Sequence, residues 1–97
     1  MGRDQVIEKL RANAEGIRAR GAKSLYLFGS TCRNEARFDS DIDVFVDPDY
    51  SRFTLFEWVD LETFLTDVLG RRVDLTTRNA LHPELRDSIE RSATQVL

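Results

Sequence analysis

Three aspartates are the residues of this chain whose spacing most clearly points to chemistry. Asp41 and Asp43 stand two positions apart at the start of an apolar, β-prone run, and Asp74 stands between Val73 and Leu75 in a second such run. Side chains at alternate positions of a strand point to the same face of a sheet. If the two strands are neighbours, the three carboxylates converge on one spot.

Such a concentration of negative charge needs a compensating cation. Two like charges about 4 Å apart repel by on the order of 4 kcal/mol at an effective dielectric constant of roughly 20. Two Mg²⁺ ions remove that repulsion, and a metal pair clamps the attacking and leaving oxygens in phosphoryl or nucleotidyl transfer. The spacing therefore predicts that Asp41, Asp43 and Asp74 bind metal and support a transfer of this kind.

A calcium loop is the competing interpretation of the same acidic stretch, because Asp39, Asp41 and Asp43 match the first ligand positions of an EF-hand. The match then fails, since Val44 stands where the loop needs Gly and Tyr50 where it needs a bidentate Glu. We reject the calcium interpretation. The turn preference of aspartate predicts that three other acids lie at the surface: Asp39, Asp47 and Asp49.

A phosphate holder is predicted at Gly29 and Ser30, which directly follow the bulky run from Ser24 to Phe28. Glycine lets the backbone approach a phosphate closely, and the Ser30 hydroxyl and the next N–H groups at a helix start can donate to its oxygens. Alone, a Gly-Ser pair is ordinary turn chemistry. The pair becomes informative because of the order of elements around it. A strand, Gly-Ser and a short helix are followed by a strand with Asp-x-Asp and then by another strand with a single Asp.

Hydrophobic periodicity and turn residues predict the elements that must position these side chains. The expected helices are residues 4–20, a short helix at 31–36, residues 54–69 ended by Gly70, and a terminal helix with Pro83 in its first turn. The expected strands are residues 24–28, 41–46 and 72–76. This order predicts one domain, residues 1–97, with an α+β (α/β-like) fold and helices mainly on one face of a small sheet.

Composition excludes several classes of protein. The net charge of −3 and the absence of a basic excess argue against extended nucleic-acid binding. A single cysteine, Cys32, and a single histidine, His82, exclude an internal disulfide and a Cys/His zinc cage. Cys32 is expected to pack as a small hydrophobic residue beneath the short helix. Without a long apolar stretch or a secretory signal, we expect a cytoplasmic protein that does not enter a membrane.

The stretch "LFGSTCRNEARFDSDIDVFV", taken with "RRVDL", resembles the minimal nucleotidyltransferases, the MNT antitoxin group of the DNA polymerase β-like nucleotidyltransferase superfamily. The resemblance spans nearly the whole chain and rests on Gly-Ser, an Arg three residues beyond the Ser, and Ser-Asp-x-Asp. Cys32 departs from the small residue expected at its position. The resemblance implies a small mixed sheet with flanking helices, two bound Mg²⁺ ions, and transfer of AMP from ATP to an acceptor hydroxyl with release of pyrophosphate.

Carried over by position, the resemblance also implies roles for individual residues. Asp41 and Asp43 would bind both metal ions, and Asp74 would bind the ion that activates the acceptor hydroxyl. Gly29–Ser30 would hold the triphosphate. Arg33 would pair with a phosphate oxygen, although an exposed arginine on a short helix fits this position equally well.

In the MNT group the usual partner is a HEPN-domain ribonuclease toxin, and the resemblance implies neutralisation by binding and by adenylylation of a toxin hydroxyl. Four aromatic residues crowd the start of the helix at 54–69, and they either contact such a partner or pack into the core: Tyr50, Phe53, Phe56 and Trp58. Two other functions stay open, a binding-only antitoxin and a small-molecule nucleotidyltransferase similar to those that modify aminoglycosides. A homo-oligomer and a hetero-oligomer with the toxin are both compatible with the sequence.

Overall fold

The structure is a computed structural model that describes residues 1–37 and 39–97. Its helices are α1 (Arg3–Ala12), α2 (Ala14–Ala19), α3 (Gly29–Cys32), α4 (Leu55–Leu69) and α5 (Pro83–Ser92), with a 3₁₀ helix at Arg78–Ala80. Its strands are β1 (Ala22–Phe28), β2 (Ile42–Pro48), β3 (Val73–Thr77) and β4 (Thr94–Gln95). Among the described residues, none of the helices has both the length and the apolar character needed to cross a bilayer.

The strands form one mixed sheet in the order β3-β2-β1-β4. β1 runs antiparallel to both β2 and β4, whereas β2 runs parallel to β3. A parallel pair needs a long crossover connection, and α4 supplies it between β2 and β3. The small mixed sheet implied by the resemblance is confirmed.

The hydrophobic core lies between one face of this sheet and helices α1, α2 and α4. Alternate residues of each strand are buried against these helices, so the residues between them point to the other face. The helices contribute Val6, Leu10, Ile17, Leu61, Leu65 and Leu69, and the strands contribute Leu25, Leu27, Ile42, Val44, Val46, Val73 and Leu75. The predicted fold class, with helices mainly on one face, is therefore confirmed.

The helix predicted at residues 4–20 is in fact two helices that meet at Asn13. The Asn13 side chain donates from Nδ2 to the Lys9 carbonyl at 2.8 Å, and its N–H bonds to the Leu10 carbonyl at 3.1 Å, one residue short of the α-helical partner. Asparagine offers the backbone this local alternative, which apolar periodicity does not register. The apolar stripe continues across the break, because Val6, Leu10 and Ile17 are all buried.

The helix predicted at residues 54–69 is confirmed by α4, which begins after Thr54 and ends at Gly70. Thr54 Oγ1 accepts a hydrogen bond from the Phe56 N–H at 3.3 Å, which satisfies one of the unpaired donors of the first turn. Gly70 takes a left-handed conformation with φ of 64° and so closes the helix without a side-chain penalty.

The shortest elements differ most from the prediction. The short helix is Gly29–Cys32 where residues 31–36 were expected, and β4 was not predicted, because two residues carry no detectable alternation. Cys32 connects these two elements, since its Sγ lies 3.2 Å from Thr94 Oγ1 of β4. Its exposed fraction is 6%, which confirms that it packs as a small core residue.

We expect Leu65→Ala to lower the free energy of unfolding by about 2 to 5 kcal/mol, because it leaves a cavity at a fully buried position of α4. Leu85→Ala is the matched control, since Leu85 lies on α5 with 55% of its surface exposed and should change stability by about 0.5 kcal/mol or less. Urea unfolding of the two variants measures the difference. Equal losses would contradict the position of the core.

Candidate active site

Asp43 and Asp74 lie side by side on the sheet face opposite to helices α1, α2 and α4. They are register partners in the parallel pair of β2 and β3, and neighbouring strands lie about 4.8 Å apart. The residues that flank them along each strand are buried on the opposite face, which fixes the direction of both carboxylates: Ile42, Val44, Val73 and Leu75. The predicted convergence of these two aspartates on one face is therefore observed.

The electrostatic environment of Asp43 is set by burial and by charged neighbours. Partial burial raises the pKa of Asp43, and the negative charges of Asp74 and then Asp41 raise this pKa further. The Arg33 guanidinium acts in the opposite direction and lowers the same pKa. Ionisation of Asp43 is thus opposed by burial and by two neighbouring negative charges.

Asp41 differs from the other two because it already has a cationic partner. Its Oδ1 accepts from Arg72 Nε at 2.9 Å, in an ion pair whose arginine side chain is 80% exposed. The Ile42 N–H also donates to the Arg72 carbonyl at 2.9 Å, so side-chain and backbone contacts both link the start of β2 to β3. The sequence prediction missed Arg72, although its position two residues before Asp74 puts the two residues on the same strand face.

Arg71 is a second residue that the sequence prediction missed. Its Nη2 donates to the carbonyls of Ser40 at 2.8 Å and Arg37 at 3.2 Å. These bonds tie Arg37 and Ser40, which precede Asp41, to the residue two positions before β3. No spacing pattern signals this contact, because it joins a loop backbone to a side chain 31 residues away.

Gly29, which directly follows β1, lies against the acidic site. Its φ of 75° lies in the left-handed region that favours glycine. A Cβ at this position would clash with Asp43 Oδ2 and lie 3.2 Å from Asp43 Cγ. The backbone at the strand-to-helix turn therefore touches the central carboxylate directly, because Phe28 of β1 pairs with Asp43 of β2.

Ser30 and Arg33 flank this turn. Ser30 lies in the first turn of α3, whose N–H groups have no acceptors within the helix and can face a ligand. Arg33 pairs with Glu35 Oε2 at 3.1 Å, and its side chain is 57% exposed. Because Arg33 also lowers the pKa of Asp43, it lies near the carboxylates while pointing toward solvent.

The donor set suits a hard divalent cation. The three carboxylates supply oxygen ligands of the kind that Mg²⁺ prefers, and a bound cation would relieve the repulsion that raises the pKa of Asp43. Within residues 1–37 and 39–97, however, no three acidic, histidine or cysteine side chains are already gathered as a metal cage.

A mixed sheet with a glycine turn against paired aspartates is the arrangement expected of a nucleotidyltransferase. The family model described as "Polymerase beta, Nucleotidyltransferase" matches residues 7–97. The chain belongs to this family, and it is a nucleotidyltransferase.

Two archaeal proteins with similar sequences indicate which kind of nucleotidyltransferase the chain resembles. A Methanocaldococcus jannaschii protein that is provisionally named a protein adenylyltransferase is 44% identical over 69 residues, covering 70% of this chain and 69% of that protein. Protein adenylyltransferase MntA of Thermococcus cleftensis is 32% identical over 94 residues, covering 96% of this chain and 94% of that protein. The likeness to MntA thus extends over nearly the full length of both chains.

Solved structures show the same fold. A structure provisionally described as a minimal nucleotidyltransferase superposes with a TM-score of 0.75 and 37% identity, covering 97% of this chain and 95% of that one. A complex described as a tri-AMPylated Shewanella oneidensis HEPN toxin with an MNT antitoxin matches with a TM-score of 0.65 and 19% identity, covering 94% of this chain and 71% of that one. The resemblance to the minimal nucleotidyltransferases is confirmed.

We expect Asp43→Asn to raise the free energy of unfolding at pH 7 in metal-free buffer, because it removes a carboxylate that burial and two neighbouring charges make unfavourable. The folded-state pKa of Asp43 lies above the reference value of 3.8, so its protonated form stabilises the folded state. That stabilisation is complete below pH 3.8 and is lost as the pH rises through the folded-state pKa. Urea unfolding of both proteins across this range measures the difference, which should shrink on acidification; a constant difference would contradict it.

We expect Gly29→Ala to destabilise the protein more than Gly70→Ala does. Both glycines have a positive φ, so each alanine incurs a left-handed penalty of about 1 to 2 kcal/mol. Only at Gly29 does the new Cβ also clash with Asp43, whereas nothing lies within 4 Å of a Cβ at Gly70. Urea unfolding compares the two, and an equal loss would show that the contact with Asp43 is unimportant.

Proposed function

We propose that this chain is a Mg²⁺-dependent adenylyltransferase that transfers AMP from ATP to a hydroxyl group of a partner protein. The observation that carries the proposal is the register pair Asp43–Asp74, with the backbone of Gly29 packed against Asp43. Two carboxylates at neighbouring strand positions form an acidic site, and the adjacent turn offers N–H donors for an anionic substrate. The names of the relatives favour a protein as acceptor.

Three residues would hold the metal ions. Asp41 and Asp43 would bind both ions, and Asp74 would bind the ion next to the acceptor. When bound, the ions polarise the α-phosphate and stabilise the charge on the attacking and leaving oxygens. Asp74 is exposed, so a hydroxyl from another molecule can approach it from solvent, whereas Asp43 is partly buried and fixes the inner side of the site.

The remaining site residues would orient the triphosphate. The turn at Gly29–Ser30 would donate N–H and hydroxyl hydrogen bonds to phosphate oxygens, and Arg33 would leave Glu35 to pair with one of them. The acceptor oxygen then forms a bond to the α-phosphorus as the bond to the β-phosphate oxygen breaks. Pyrophosphate leaves, and the hydroxyl proton passes to water.

The partner that fits this proposal is a HEPN-domain toxin, with this chain as its antitoxin. The solved complex of the same fold is described as containing an AMPylated HEPN toxin together with its MNT antitoxin. Asp74 is exposed and Asp41 is only half-buried, so the acceptor can come from a second protein. Adenylylation of a toxin hydroxyl would then couple the chemistry to neutralisation.

Mass spectrometry tests this function directly. The chain is incubated with ATP, Mg²⁺ and a HEPN-domain protein, and we expect the HEPN protein to gain the mass of one or more adenylyl groups. Asp43→Asn should reduce the rate by about 10²-fold or more, because a metal contact contributes several kcal/mol to the transition state. Asp87→Asn, at an exposed acidic position of α5, is the matched control and should retain full activity.

The outcomes separate the proposed enzyme from its alternatives. Transfer that continues unchanged in Asp43→Asn, or after chelation of Mg²⁺, would overturn the proposed site. If Asp43→Asn loses transfer but still protects cells from the HEPN protein, binding alone neutralises the partner. Transfer to an aminoglycoside in the absence of the HEPN protein would favour the small-molecule enzyme.

A further inference from the structure

The first turns of α4 expose three apolar side chains next to one another. Phe56 is 86% exposed, Leu55 is 74% exposed and Val59 is 57% exposed. With 3.6 residues per turn, these positions fall within one arc of about 100° on the side of α4 that faces away from the core. We call these three residues the α4 patch.

The α4 patch is distinct from the aromatic residues around it. Phe53 and Trp58 are partly buried and pack against the hydrophobic core. Tyr50 is exposed, but its hydroxyl accepts a hydrogen bond from Asn79 Nδ2 at 2.9 Å. The predicted aromatic crowd therefore divides, and Phe56 is the member whose ring is almost entirely in solvent.

The charges of α4 are all of one sign. Its sequence, LFEWVDLETFLTDVL, contains four acidic residues and neither lysine nor arginine. Asp60 and Asp67 continue the exposed arc that begins with the patch. Arg20, the residue that directly follows α2, pairs with Asp60 at 3.4 Å, while Asp67 stands one turn beyond Thr63 on the same arc. The patch thus lies on a helix of net negative charge, in which Arg20 offsets the charge of Asp60.

We propose that the α4 patch is the surface on which the acceptor protein docks, and that this protein presents an apolar groove bordered by lysine or arginine. The identification of the docked protein with the acceptor rests on the proposed function. A second copy of this chain is a poor occupant, because a two-fold interface at the patch would place acidic α4 against acidic α4. A partner with a basic border pairs with the same charges favourably.

The α4 patch lies far from the carboxylates of the candidate active site. β2 leads away from the carboxylates for seven residues, a span of about 20 Å, before the chain turns into α4. At that far end, the Asp49 N–H donates to the Gly21 carbonyl at 2.8 Å, which places the turn beside the start of β1 and not beside Gly29. A change in the patch should therefore weaken the complex without disturbing Asp43 or Asp74.

Calorimetric titration of the chain with the HEPN-domain protein that it adenylylates tests the docking surface. We expect Phe56→Ser, and separately Leu55→Ser with Val59→Ser, to raise Kd by at least about tenfold. Leu85→Ser is the matched control, because Leu85 is an exposed apolar residue of α5 and should leave Kd within about twofold of the wild-type value. Asp67→Lys should weaken binding at low salt and flatten its salt dependence.

The possible outcomes test the docking surface and the proposed enzyme activity separately. Patch variants that bind as tightly as the wild type, while still transferring AMP, would overturn the docking surface and leave the enzyme intact. Weakened binding together with wild-type turnover at saturating partner would support it. A wild-type dimer that the patch substitutions dissociate would assign the patch to a second copy and overturn our proposal. Wild-type protein that fails to bind the HEPN protein would overturn both proposals, and circular dichroism confirms that each variant is folded.

Discussion

Repulsion between neighbouring carboxylates is the constraint on which the rest of this structure depends. Asp43 stands beside Asp74 on an adjacent strand and near Asp41 on its own segment, and each charge raises its pKa. A fold gains nothing in stability from such an arrangement unless a cation compensates for it. Arg72 provides partial compensation at Asp41, through an ion pair that water screens strongly because the arginine is mostly exposed.

The sheet order explains how these groups meet. β2 lies between β1 and β3, so it receives the glycine turn from one neighbour and the third carboxylate from the other. The antiparallel pairing with β1 brings Gly29 against Asp43, and the parallel pairing with β3 brings Asp74 to the other side of the same residue. One central strand therefore assembles a site from three separate parts of the chain. This is the arrangement on which the proposed nucleotidyltransferase site rests.

The same strand also separates the carboxylates from the α4 patch, the two surfaces that we propose contact other molecules. Its first residues carry the carboxylates, and its last residues lead to the turn before α4 and its exposed apolar patch. A small domain can gain affinity for a protein acceptor in this way, because docking area and reacting atoms need not coincide. Under the proposed function, the carboxylates would stay accessible to ATP while the α4 patch holds the partner.

Sequence alone determined the parts of this protein that depend on local pattern. Period-two alternation placed Asp43 and Asp74 on faces opposite to their buried neighbours, and Thr54 and Gly70 fixed the ends of α4, because caps and strand direction are properties of a few consecutive residues. Only the tertiary structure decided which strands became neighbours and that Asp41 pairs with Arg72. Those contacts join residues distant in the chain, and the packing of the whole core selects them, which no local spacing encodes.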